Sequence, residues 1–169
     1  MFFIATLRTG PFLIPIFTHH PPSPCNIVIV TLSNQTNRTL TATVRIDQVI
    51  LLPSPIAPPA PWTVLFPSSP MTLPPNTAGG FAVPVFTPSP ITDATVTAAG
   101  DPRALIVTVS GDVEESGDLI EVSVTGGFSS DGSSLDESEP TMFFRHDDFV
   151  VVHDGHNHHH HHHNDESSD

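Results

Sequence analysis

The chain has no lysine and no tyrosine, one cysteine, one tryptophan and only five basic residues, all arginine. Without lysine there is no ammonium to hold a phosphate in a glycine-rich loop, no Schiff-base nucleophile and no Lys–Asn isopeptide staple. With Cys25 alone, no intrachain disulfide can form. No GxSxG elbow and no Cys–His nucleophile signature is present. No apolar run approaches the ~20 residues that span a bilayer as a helix. The expectation from these absences is a protein that is not an enzyme and needs no cofactor.

Charge is scarce and unevenly placed. Charged residues make up 14% of the 169, with a formal net charge of −13. Residues 1–100 hold only Asp47 and Asp93 against Arg8, Arg38 and Arg45, while residues 101–169 hold the other 16 of the 18 acids against Arg103 and Arg145. A surface this negative repels nucleic acid and anionic membrane and attracts cations. Neither nucleic acid nor membrane is expected as a partner.

Proline is abundant, at 19, and Val, Ile, Thr and Phe recur in short runs broken by Pro, Gly, Asn and Ser. That pattern predicts an all-β domain, read as a single antiparallel β-sandwich, jelly-roll or Ig-like, of about eight strands. "NIVIVTLSNQTNRTLTATVRIDQVILL" carries the strongest signal. Leu40, Ala42, Val44 and Ile46 alternate with Thr39, Thr41, Thr43 and Arg45, which puts the first set on a buried face. The turn chemistry of "SNQTN" between two such runs predicts a β-hairpin. "TMFFRHDDFVVV" reads as one last strand, and Pro84 marks "FAVPVF" as an edge or a bulge. The proline-rich residues 53–61 read as an extended polyproline loop.

The organisation expected is an apolar N-terminal arm over 1–17, a Pro/His linker over 18–25, the sandwich over 26–152 and a disordered acidic His-rich tail over 153–169. "MFFIATLRTGPFLIPIF" lacks a basic n-region and a small-x-small cleavage site. The expectation is therefore a chain made in the cytoplasm and not exported by the general secretory route. The arm is too apolar to hang free. It must pack on its own domain or add to a neighbour's sheet edge, through Phe2, Phe3, Ile4, Phe12, Leu13, Ile14, Ile16 and Phe17. Cys25 is either an inert core residue or an interchain crosslink.

The tail carries the only dense set of metal ligands. His153, His156 and His158, His159, His160, His161, His162 and His163 give overlapping imidazole sets that would hold Zn or Ni loosely, because neutral nitrogen suits these borderline ions. A flexible chain makes such a site unselective, and a solubilising spacer is the alternative. Six histidines also match an affinity tag, although "HDGHN" before them and "NDESSD" after them favour a native tail. His19 and His20 read as linker residues, with a second metal clip or an interchain contact as the sharper reading. His146 beside Asp147 and Asp148 could serve as a base or a ligand. On an extended chain the two carboxylates would point to opposite sides, which favours a strand-end cluster with Arg145. The loops "GDVEESGD" and "SSDGSSLDESE" lack the alternating pattern that wraps calcium. Asn34-Gln35-Thr36 and Asn37-Arg38-Thr39 are formal glycosylation acceptors, read here as turn residues.

"VTLSNQTNRTLTATVRI" followed by "LPPNTAGGFAV" resembles the Ig-like sandwich modules of bacterial surfaces. "LIEVSVTGGFSSDGSSLDESEPTMFFRHDDFVVV", with "TGPF" at Thr9–Phe12 and the Arg145–Asp148 cluster, resembles small all-β proteins of spore-forming Firmicutes. Some of these build or decorate endospore surfaces, including jelly-roll subunits of endospore appendages whose N-terminal arm joins one subunit to the next. The resemblance covers about residues 1–152. It implies a structural, self-assembling surface protein, a homo-oligomer or fibre at the cell or spore surface. The chain departs from those relatives in its polyproline loop, its His tail and its lack of an N-terminal cysteine pair, so no disulfide-linked fibre is implied. A metal-binding module using the tail is the alternative from a different class, and an unrecognised enzyme on a sandwich is the third.

Overall fold

The computed structural model describes residues 5–14, 25–50, 61–67, 70–85, 103–136 and 142–152. These form eleven strands and one 3-10 turn. The strands are β1 (Ala5–Thr9), β2 (Phe12–Leu13), β3 (Ile27–Asn34), β4 (Leu40–Ile50), β5 (Thr63–Pro67), β6 (Met71–Leu73), β7 (Thr77–Pro84), β8 (Arg103–Gly111), β9 (Ile120–Gly127), β10 (Met142–Phe144) and β11 (Phe149–Val151). The 3-10 turn spans His146–Asp148, between β10 and β11.

All pairings are antiparallel and fall into two sheets. One has the order β11-β1-β8-β4-β5, with β2 also on β8 and β6 also on β4; the other has the order β10-β9-β3-β7. Their inner faces meet in one core. Leu7, Val44, Val107 and Val109 come from the first sheet, and Val28, Val30, Leu32, Val122 and Val124 from the second. Burying each such side chain contributes about 1.5–3 kcal/mol relative to exposure. The architecture is an antiparallel β-sandwich.

Period-two alternation placed the β4 face correctly: Leu40, Ala42, Val44 and Ile46 are all buried, at 3% exposure or less. The hairpin expected between β3 and β4 does not form. β3 pairs with β7 and β9, whereas β4 pairs with β5, β6 and β8, so the turn between them arches from one sheet to the other. The physical reason is that alternation fixes which face a strand buries, not which strand lies beside it. Two strands with matched apolar faces can equally well face each other across a core. The last strand also divides. β10 lies in one sheet and β11 in the other, with the 3-10 turn making the crossing.

The N-terminal segment belongs to the sandwich. β1 lies between β11 and β8, and β2 continues along β8. Leu7 and Ile14 are buried, so the domain begins by Ala5 and not at residue 26. The "TGP" turn breaks the ladder, and the Thr9 hydroxyl accepts from the Val107 N–H at 3.0 Å where the break would leave that donor bare. Pro84 sits on an edge strand, as its missing N–H requires. Aromatic pairs bridge the two sheets. Phe12 meets Phe144 with ring centroids 4.6 Å apart, and Phe66 meets Phe81 at 5.3 Å.

Candidate functional site

The Arg145–Asp148 cluster stands where β10 crosses to β11, against β9. Asp147 and Asp148 lie in the 3-10 turn and not on an extended strand. Asp148 Oδ2 accepts the Arg145 backbone N–H at 2.7 Å, while its own N–H donates to the Arg145 carbonyl at 3.0 Å. This reciprocal pair closes the turn. The Arg145 guanidinium lies over the Phe143 ring, 5.8 Å from its centroid. Beside them is a shallow open depression of about 300 Å³, lined by Glu121, Ser123, Phe143, Arg145, His146 and Asp147.

His146 is buried at 6% exposure and both its ring nitrogens are occupied. Nδ1 accepts from the Val122 N–H at 3.1 Å, and Nε2 lies 2.7 Å from the Glu114 carbonyl. A backbone N–H can only donate and a carbonyl can only accept, so the arrangement selects the neutral Nε2–H tautomer. Gly117 brings the 112–119 loop against the ring. Its φ is +75°, and a Cβ there would lie 3.4 Å from the imidazole. With both nitrogens engaged by backbone, the ring has no lone pair for a metal and no site for proton transfer to a substrate. Its chemistry is to tie β9, the 112–119 loop and the crossover together. Replacing His146 with Phe is expected to destabilise the fold by about 2–3 kcal/mol, because a buried donor and a carbonyl lose their partner. Urea unfolding measures this directly, and an unchanged midpoint would exclude the latch role.

Asp112 and Asp131 of the acidic loops are held by hydrogen bonds within the chain. Asp112 Oδ2 accepts the Thr41 N–H at 2.8 Å. Asp131 Oδ1 accepts from the Ser129 hydroxyl at 3.0 Å, the Ser133 N–H at 2.7 Å and the Ser134 N–H at 3.1 Å. These bonds, that from the Ser133 N–H foremost, hold the Asp131 carboxyl well below its usual range. Among the described residues no group of three or more His, Cys, Asp or Glu is placed to hold a metal.

Asn34 is nearly fully buried, at 1% exposure. Its Nδ2 donates to the carbonyls of Arg38, Leu73 and Pro74 at 2.8, 2.9 and 3.0 Å, and its Oδ1 accepts from the Thr36 N–H at 2.9 Å. An amide so engaged is not open to glycosylation. Its turn role, read from the sequence, extends to fastening the β3–β4 arch to the β6–β7 turn.

Of the residues named for assembly, Phe12 packs against Phe144 within the same chain, Ile14 is buried and Leu13 is 61% exposed. Cys25 has no exposed surface and lies against Gly126 of β9, the position of the inert core residue that was one of its two readings. Phe2, Phe3, Ile4, Ile16, Phe17, His19, His20 and the tail histidines His153, His156 and His158–His163 lie outside the described residues. Among the described residues no helix is long and apolar enough to cross a membrane. No protein-family model, curated protein or solved structure matches the chain.

Proposed function

We propose that the chain is a structural, self-assembling subunit of a cell or spore surface layer or appendage-like fibre, joined to its neighbours through its N-terminal strands. The observation that supports this reading is the position of β1. It is the first of the described strands yet interior in its sheet, held between β8 and β11. A strand in such a slot can be supplied by the same chain or, in the same register, by another copy. One copy donating to the next is a heterologous contact, and such contacts generate open chains when the rotation does not close.

The register gives a direct test. Arg8 and Val150 are cross-strand partners on β1 and β11, and both are exposed. Full-length chains carrying Arg8→Cys are mixed with chains carrying Val150→Cys, denatured, refolded together and oxidised. Exchange predicts disulfide-linked dimers containing one chain of each kind. If the mixture stays uncrosslinked while the double variant closes within one chain, the strand stays at home and the reading fails.

A further inference from the structure

Among the described residues β7 is the longest edge strand without a partner on its outer side, with eight residues where β5, β6, β10 and β11 have five or fewer. The β3–β7 register shows which of its backbone groups are spoken for. Pro84 has no N–H, so its pairing with Ile27 cannot be the kind in which both residues exchange bonds. The exchanging pairs are therefore the alternate ones: Val28–Val83, Val30–Phe81, Leu32–Gly79 and Asn34–Thr77. The N–H and C=O groups of Ala78, Gly80 and Ala82 then point away from β3. Among the described residues no strand pairs with that side. The same three residues are exposed, and none carries more than a methyl group.

Proteins ordinarily blunt such an edge with charge, a bulge or a very short strand. β7 uses none of these along Ala78–Ala82. Two copies of a chain with net charge −13 repel one another over most approaches. From Pro74 to Val85 there is no charged side chain, so this strand adds no like charge of its own to that repulsion. The occupant is also specified by the backbone pattern. An antiparallel two-fold axis through Gly80 sets Ala78 against Ala82 of a second copy, Gly80 against Gly80, and Ala82 against Ala78. All three are exchanging pairs, so the two edges satisfy each other.

We infer that β7 is an isologous docking edge at which a second copy of this chain pairs in this register, joining two four-stranded sheets into one of eight. This contact is separate from exchange of β1. It closes at a dimer, whereas donation of β1 from one copy to the next leaves an open chain when its rotation does not close.

The test uses the full chain in two ways. Sedimentation of the wild type is compared with Ala78→Lys/Ala82→Lys and with Ala82→Pro. The first adds like charges beside the edge, and the second removes one outward N–H that β3 does not use. Dimer mass for the wild type, with a loss of at least roughly tenfold in dimer affinity for both variants, supports the pairing. Gly80 is not the position to vary, because a Cβ there would lie 2.7 Å from the Val30 carbonyl. Amide exchange on the wild type needs no variant. Protection of Ala78, Gly80 and Ala82 should rise roughly tenfold or more from dilute to concentrated solution. A wild type without dimer, or protection independent of concentration, overturns the inference. Crosslinking between Arg8→Cys and Val150→Cys chains reads β1 exchange alone, so the two ideas fail separately.

Discussion

Replacing Asn34 with aspartate, which is nearly the same shape, is expected to cost about 4 kcal/mol and to be worse than replacing it with alanine. The amide nitrogen faces three carbonyls, those of Arg38, Leu73 and Pro74. Its orientation is settled by those partners, because the opposite face meets the Thr36 N–H. Aspartate keeps the acceptor toward Thr36 but turns a charged oxygen toward three carbonyl oxygens at a site with 1% exposure. Breaking a buried polar network in this way costs several kcal/mol, since the charge is both unpaired and repelled. Alanine removes the bonds without adding the repulsion and should cost about 2–3 kcal/mol. For a chain of this length, 4 kcal/mol corresponds to a melting midpoint lower by roughly 8–16 °C. Thermal and urea unfolding of the two variants give the ranking. If aspartate proves no worse than alanine, the amide is not holding the arch.

That residue also marks how far the sequence can be read. Turn chemistry at Ser33–Asn37 was legible because Asn and Ser offer local hydrogen bonds that compete with a ladder. What was not legible is that two of the Asn34 acceptors, Leu73 and Pro74, come from about forty positions away. The same division runs through the fold. The buried face of β4 could be read from period two, but its neighbours could not, and the expected hairpin became an arch. The run Met142–Val152 has no Gly or Pro to announce a break, so β10 and β11 read as one strand. The break is made by Asp148 closing on Arg145 and by His146 reaching back to β9. At the candidate site the local grouping of Arg145, His146, Asp147 and Asp148 was visible. The partners that decide its chemistry, Val122 and the Glu114 carbonyl, were not. The arm was legible as apolar, yet the same pattern serves a chain's own sheet or a neighbour's, so sequence left both open.

Stability should fall by about 2 kcal/mol between pH 9 and pH 11, and a single thiol should account for it. Burial pushes Cys25 from its ordinary 9.0 up to about 11. Below pH 9 the thiol is protonated in both folded and unfolded chains and contributes no pH dependence. Between 9 and 11 the unfolded chain releases its proton while the folded chain retains it, so rising pH favours unfolding, with a slope that approaches about 1.4 kcal/mol per pH unit only midway. Above 11 both forms ionise and the slope ends. In most proteins this limb would be shared with lysine and tyrosine. Here neither occurs, and arginine stays charged throughout the window, so no other side chain has an ordinary titration there. Urea midpoints at pH 8, 9, 10 and 11 should therefore fall for the wild type and stay level for Cys25→Ala. That variant starts lower by roughly 1 kcal/mol because it leaves a small cavity. Parallel curves for the two proteins would show that the thiol is not buried as described. The same burial predicts a thiol that reacts with a disulfide reagent only when the chain opens. Assembly of the proposed kind should then survive reducing agent, because the one cysteine lies in the core.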